Sequence, residues 1–223
     1  MNDNRIWFGL LLVLFTSTTT FAQPRTGSGE TGSRPFGAVF APAALPSGTT
    51  SLYGFAGVPQ IGAGFRQGFG VMELEGRVEM DYFALSVAPE VFARVPVLTT
   101  GPYQIAPSLG VGMAFNSGSQ YIDTYNFSYT AVRLIPGAAL SWRVAETASL
   151  LGEASFPLDL TVSPTGGYRF RPLVGAGGEI YLGQEITAGA LAQVGADALK
   201  EPLEFSRTRF AFALWVGIGY RFF

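Results

Sequence analysis

The sequence predicts an all-β fold, an antiparallel up-and-down barrel that crosses a membrane on its strands. Three observations predict it. The stretch "MELEGRVEMDY", residues 72–82, is charged at every second position, with Glu73, Glu75, Arg77, Glu79 and Asp81 alternating with apolar residues or glycine. On a helix such charges would spread around the axis, whereas on a strand they share one face. The same period of two recurs in segment after segment, and no charge falls on the apolar side of any of them. The chain also opens like an exported protein.

That opening has Arg5 as a positive start and an apolar core over residues 6–15, too short for a membrane helix, which needs about 20 residues. A polar run and "TFAQ" follow, with a small-residue cleavage position after Ala22. Residues 1–22 are therefore expected to be a cleaved signal peptide, the competing reading being an N-terminal membrane anchor. Residues 23–35, rich in Gly, Ser, Thr and Pro, read as a flexible lead-in. Residues 36–223 read as one barrel domain, with no fixed-period repeat.

Composition narrows the possibilities. Of 223 residues, 48% are hydrophobic and 13% charged, against about 25% charged in a soluble domain. The net charge is −2 and Lys200 is the only lysine, so no basic cluster exists to meet a nucleic acid. With no cysteine there is neither a disulfide framework nor a thiolate metal site, and no other metal-ligand spacing or cofactor motif occurs. The close glycines of "GVGMAF" and "GAGGE" sit in strands and precede no helix, which rules out a phosphate loop. They are expected to let the wall curve and to leave space for arginines.

Strands are predicted near residues 36–43, 52–67, 71–81, 83–97, 104–116, 127–144, 149–158, 168–182, 186–198 and 208–222, ten in all. Eight is the alternative. The inward parity flips at Tyr82–Phe83 without a turn glycine, and a bulge there would join 71–97 into one strand and release 36–43. Prolines 59, 89, 107, 136 and 172 fall inside these strands on the apolar side, where each lacks the N–H of a ladder bond. Short connections near residues 183–185, 145–148 and 98–102 alternate with longer polar ones, "LKEPLEFSRT", "DLTVSPTGG" and "SGSQYIDTYN". Barrels in outer membranes have short periplasmic turns and longer outer loops.

The polar face mixes small residues with charge. Its acids are Glu73, Glu75, Glu79, Asp81, Glu90, Glu153, Glu179 and Asp197; its bases are Arg66, Arg77, Arg94, Arg133, Arg143, Arg169, Arg171 and Arg221. Charge inside and continuous hydrocarbon outside is the arrangement of a barrel in lipid. Eight acids against eight bases point to a salt-bridged, plugged lumen; an open, selective pore would carry an excess of one sign.

The ending "LWVGIGYRFF" resembles the C-terminal assembly signal of bacterial outer-membrane β-barrel proteins, with Leu214, Val216 and Ile218 leading to Tyr220 and Phe222. Phe223 departs from the pattern by adding one residue. The chain is most similar to small barrels of the OmpA/OmpX type. The resemblance implies residence in the cell outer membrane, insertion by the barrel-assembly machinery, outer-membrane lipids as neighbours and a monomeric state. Enzymatic barrels of this kind use histidine for proton transfer, and this chain has none, so no Ser-His or Asp-His device can be built. The paired acids of residues 73–81 are candidates for acid–base work by type alone, and are read instead as partners of lumen arginines. Tyr121, Asp123, Tyr125 and Phe127 form an aromatic, polar loop that is read as an interfacial girdle more readily than as a binding surface.

The expected function is that of an integral outer-membrane barrel of structural or surface-interaction type, without catalysis, cofactor or nucleic-acid partner. A narrow channel for small solutes is the first alternative. A secreted, soluble lipid-binding barrel is the second, and it would need the apolar face turned inward.

Overall fold

The computed structural model describes residues 39–40, 43–120, 122, 126–183, 185–202 and 206–222. The expected signal peptide (1–22), the lead-in (23–35), Tyr121, Asp123, Tyr125 and Phe223 lie outside the described residues. Among the described residues there are thirteen strand segments: β1 (Thr50–Val58), β2 (Gln60–Phe69), β3 (Met72–Asp81), β4 (Ser86–Arg94), β5 (Leu98–Thr100), β6 (Tyr103–Ser117), β7 (Ser128–Ala145), β8 (Ala148–Ser155), β9 (Leu158–Ser163), β10 (Thr165–Phe170), β11 (Leu173–Tyr181), β12 (Ile186–Lys200) and β13 (Arg207–Phe222).

Six of these segments are halves of three wall strands. β4 and β5 both pair with β6, β8 and β9 both with β7, and β10 and β11 both with β12. The interruptions fall at Pro96, Pro157 and Pro172. The result is ten antiparallel wall strands, each on its sequence neighbour. The last returns to the first, β13 pairing with β1 from Thr50↔Phe222 to Val58↔Leu214, so the sheet is a closed ring.

Ten is the number expected, but the partition differs. The segment predicted as one strand over 52–67 is two, β1 and β2, with Pro59 alone between them. The predicted strand over 36–43 does not form at its described residues: Val39 and Ala43 are buried inside the ring and Phe40 is half-buried beside them. The single bulged strand of the eight-strand alternative does not form either. Residues 82–85 make a turn in which Asp81 Oδ1 accepts from Phe83 N (3.0 Å) and Ala84 N (3.1 Å), with Leu85 at φ 47°. An aspartate side chain here does the work that a turn glycine does elsewhere. "DLTVSPTGG" is not a loop: β9 and β10 occupy it and Pro164 alone joins them.

The wall prolines lose a donor and keep an acceptor. Val95 N donates to Pro107 O (3.2 Å), Phe156 N to Pro136 O (2.9 Å), Arg171 N to Pro157 O (2.9 Å) and Ala196 N to Pro172 O (3.2 Å). At Pro89 the β4–β6 ladder skips from Val87↔Phe115 to Glu90↔Gly112.

One end of the ring holds the start of β1, the end of β13 and residues 70–71, 101–102, 146–147, 182–183 and 185; we call it the near end. Gly70 (φ 53°) and Gly101 (φ 56°) take left-handed turn positions there. The far end holds Pro59, residues 82–85, 118–120, 122 and 126–127, Pro164 and residues 201–202 and 206.

Inside, aromatic rings lie over glycines of the neighbouring strand. Tyr53 and Phe55 of β1 register with Gly64 and Gly62 of β2, and Phe92 of β4 with Gly110 of β6. A Cβ at these glycines would meet the rings at 2.4–2.5 Å. The expectation that wall glycines clear space for arginines is therefore corrected. Gly110 receives Phe92, Gly175 faces Gln193, and Gly112 and Gly177 face neighbouring backbone. A guanidinium reaches across the lumen on a long stem, whereas a ring packs flat beside its own strand.

Outside, the outward register of each strand is hydrocarbon: Leu52, Leu109, Val132, Val174, Phe210 and Ile218 are all exposed. Among the described strand residues, Lys200 at the end of β12 is the one outward charge. Tyr103 stacks on Trp142 (5.4 Å) and Tyr220 meets Phe222 edge-on (4.9 Å) toward the near end, while Phe210 stacks on Phe212 (6.4 Å) toward the far end. Aromatic girdles at two levels mark the edges of an apolar belt. The soluble lipid-carrier alternative needs these apolar side chains inside; they are outside.

Close packing of the ring gives a paired test. A Cβ on Gly57 would lie 1.7 Å from Leu214 O, whereas one on Gly76 would meet nothing within 4 Å. Gly57→Ala should destabilise the folded barrel by about 1–3 kcal/mol through backbone displacement, and Gly76→Ala should leave its thermal unfolding unchanged.

Candidate functional site: a charged lumen and the segment that enters it

Residues 39–40 and 43–45 lie inside the ring without strand pairing, so their backbone groups need partners from the wall. The wall supplies them as side chains. Phe40 N donates to Glu179 Oε2 (2.7 Å), Ala43 N to Ser141 Oγ (3.0 Å), Ala44 N to Gln104 Oε1 (2.7 Å) and Leu45 N to Glu73 Oε2. Arg66 Nη1 donates to Val39 O (3.1 Å). Apolar contacts complete the seat. Val39 packs among Tyr53, Phe55, Leu191, Ala213 and Trp215, and Phe40 stacks on Trp215 at 6.0 Å. Ala43 and Ala44 pack on Ala106 and Ala139.

The ion pairs continue from that segment to the far end. Arg66 grips Glu73 with two bonds (2.9 and 2.8 Å), and Arg94 bridges Glu73 (2.6 Å) and Glu75. The Tyr53 hydroxyl donates to Glu75. In the middle, Arg77 meets Glu90 (2.7 Å) and Glu79 (3.6 Å). Arg133 reaches Glu79 (3.0 Å), Glu90 (2.9 Å) and Asp159 (2.6 Å) from β7, tying β3, β4 and β9 together. Toward the far end, Arg171 meets Asp81 (3.3 Å), while Arg169 and Arg209 share Asp197 at 2.8 Å each. A fork-shaped guanidinium can serve two or three carboxylates at once, which is why arginine alone supplies the positive side here.

All sixteen charged residues named from the sequence lie on the inward register of the ring. They are not one uninterrupted network. Arg143 stands at the near-end turn, where its Nη2 donates to Glu146 O (2.7 Å) and its guanidinium lies over the Tyr181 ring (5.4 Å). Glu179 receives backbone amides of the entering segment. Glu153 faces a central void together with Arg77 and Arg94. Arg221 is buried at the near end.

Two members were missed. Asp159 was assigned to a loop, and Arg209 was left out of the inward bases although it falls in the strand predicted over 208–222. Odd-numbered residues stay inward across the Pro157 break, so extending the alternation from Ser155 would have found Asp159. Arg209 does sit near the rim, 37% exposed, but it is held by Asp197. One acid and one base thus join the eight of each named from the sequence.

Between the ion pairs lie two voids of about 40 and 30 Å³, lined among others by Gln193, Glu153, Ser108 and Trp215. The Gln193 amide and Trp215 Nε1 are buried without a protein partner, and voids of this size hold single waters. Among the described residues no group of acids is placed to hold a metal ion.

A closed antiparallel ring with hydrocarbon outside and ion pairs inside is a transmembrane β-barrel, the class that occupies outer membranes. No family model matches the chain, and no curated protein matches it. Solved structures similar to it include the KdgM porin in complex with disordered oligogalacturonate, at 11% identity over 78% of this chain and 99% of that chain, with TM-score 0.44. A second is a de novo designed transmembrane β-barrel, at 15% identity over 80% of this chain and 99% of that chain, with TM-score 0.35. A third is in-vitro folded OmpT, an outer membrane protein of Vibrio cholerae, at 12% identity over 80% of this chain and 62% of that chain, with TM-score 0.38.

Arg133 is the most connected cation of the lumen and only 8% exposed. Arg133→Ala should cost about 3–5 kcal/mol, because Glu79, Glu90 and Asp159 would be left short of a buried partner. Arg209→Ala should cost about 1 kcal/mol or less, as an exposed pair does. Thermal unfolding of the two variants checks the difference.

Proposed function

We propose that the protein is an outer-membrane barrel of structural or surface-interaction type whose lumen is closed by its own ion pairs and by the segment that carries residues 39–40 and 43–45. The observation that carries this reading is the seat of that segment: Glu179, Ser141, Gln104 and Glu73 each receive one of its backbone amides. A segment that merely drifted through a pore would not be met by a side-chain acceptor at each of these amides. The near end, with its short turns, faces the periplasm and the far end faces out. The ring is two strands wider than the eight of OmpA/OmpX-type barrels.

The outward residues Leu214, Val216, Ile218, Tyr220 and Phe222 of β13 make the strand that the assembly machinery would read, and β13 is also the strand that closes the ring. Membrane lipids are the neighbours of the outer face, and the protein works as a monomer without catalysis. Each ion-paired lumen acid is turned toward a guanidinium, which removes the free carboxylate that acid–base chemistry requires.

A narrow channel is the second reading, favoured by the two polar voids and the unpartnered Gln193 amide. Planar-bilayer recording divides the two. The chain from residue 23 onward should show no stable open steps, and removing residues 23–44 should raise the frequency of current events. Large, stable steps from the intact chain would establish the channel and overturn the closed reading.

A further inference from the structure

The acids at the centre of the lumen outnumber the cations that face them. Four carboxylates, of Glu75, Glu79, Glu90 and Glu153, and three guanidiniums, of Arg77, Arg94 and Arg171, line the two voids between the ion pairs. Glu75 is taken by Arg94, and Glu79 and Glu90 by Arg77 and Arg133. Arg133 reaches in from outside that lining, but it brings Asp159 with it. Glu153 is the carboxylate left over. No hydrogen bond or ion pair from the described residues reaches it. Its neighbours on the adjoining strands are Ala139 and Gly175, neither of which can supply a counter-charge. An enclosed carboxylate without one is costly.

The same voids gather neutral polar groups that also lack protein partners. Gln193 is 2% exposed, and neither the oxygen nor the nitrogen of its amide is bonded. Gln193, Gly175 and Glu153 stand in one row across β12, β11 and β8. A Cβ on Gly175 would lie 2.6 Å from Gln193 Cγ, so the glutamine side chain lies across the glycine, toward Glu153. Ser108 lines both voids and Ser155 one of them, and neither hydroxyl bonds to a described residue. Trp215, whose buried Nε1 is unpartnered, lines both.

We propose that one monovalent alkali cation, potassium or sodium, occupies this space, held between the Glu153 carboxylate and Gln193 Oε1. The site goes beyond the closed-lumen reading and does not depend on whether the lumen conducts. Size, charge and chemistry agree on it. Voids of about 40 and 30 Å³ take single waters, and an alkali ion fills about the space of one water. Its single positive charge cancels the leftover carboxylate. Carboxylate, amide and hydroxyl oxygens can replace its hydration shell, as oxygen dipoles do in selectivity filters. The Trp215 N–H can only donate, so it holds a water that completes the shell. A divalent ion fits poorly. Calcium takes about 6–8 oxygens, several of them charged, and no group of three acids is placed for one among the described residues. Arg171 lines both the smaller void and a cavity of about 380 Å³ at the far end, so an ion arriving from that end has one side chain to pass.

The test uses the chain from residue 23 onward, folded in detergent micelles and carrying Trp142→Phe, which leaves Trp215 as its only tryptophan. Potassium chloride and sodium chloride are each titrated against N-methylglucamine chloride at equal ionic strength, because that organic cation is too large for the voids. An alkali ion should change Trp215 emission along a saturating curve and raise the thermal unfolding midpoint by about 2–4 °C. N-methylglucamine should do neither, and the alkali ion with the lower half-saturation is the occupant. Glu153→Gln should abolish both responses. Gln193→Leu keeps the volume and removes an amide without a protein partner; it should weaken the apparent affinity about tenfold, and it gives an independent reading if Glu153→Gln fails to fold. A response of equal size to N-methylglucamine, or one kept in full by the variants, would mark general screening of the ion pairs and overturn the site. No response to either alkali ion would mean that Glu153 carries a proton and the voids hold water alone, which overturns it as well.

Discussion

The structure depends on one constraint: in hydrocarbon, every backbone N–H and C=O must find its partner within the protein. A sheet meets that requirement only by closing, and here closure is the nine-residue register between β1 and β13. Other features follow from it. Because an edge strand in lipid has no substitute for a neighbour, prolines are tolerated only where the carbonyl keeps its bond and the missing N–H is a local loss. Four wall prolines show this, each accepting from the next strand.

Closing a ring of ten creates a second problem. Eight strands leave an interior that side chains fill; ten leave more. The chain fills the excess in two ways. Rings lie over glycines on the adjacent strand, which thickens the wall locally at Tyr53, Phe55 and Phe92. The rest of the near-end half is taken by residues 39–40 and 43–45, whose amides become ligands for wall carboxylates and amides. Ion pairs take the middle and the far half. Such pairs are costly to bury, and their value lies in mutual satisfaction: Arg133 alone joins three acids on three strands. The middle of the lumen is thereby coupled across β3, β4, β7 and β9, and the strands that bear it are locked in register.

Much of this was legible in the sequence because a period of two is an absolute signal. A residue is either inward or outward, and a shift of one exchanges the faces. That is why all sixteen charges could be placed inward, and why outward residues such as Leu109 and Ile218 could be named with the same rule. Strand ends were less legible, since turns need only one or two residues. Pro59 turns β1 into β2 without a glycine, and the Asp81 side chain makes the next far-end turn. Asp159 was lost because a Pro-containing run reads as a loop when the strand in fact resumes beyond it. The entering segment was misread most instructively. "FGAVFAPAA" has strand-like composition, and what denies it a place in the wall is that β13 already pairs with β1. Nothing local in the segment records that competition.

The orientation of the two faces is the claim on which all of this rests. The chain has no cysteine, so single cysteines can be introduced without background. Leu109→Cys and Ile218→Cys lie outward, and Ser108→Cys and Ala213→Cys lie inward on the same two strands. Each variant, reconstituted in bilayers, should be tested with a thiol reagent confined to the acyl-chain region. The account predicts that positions 109 and 218 react and that 108 and 213 are spared. Reaction at 108 and 213 with protection of 109 and 218 would contradict it, because the barrel would then carry its apolar face inside.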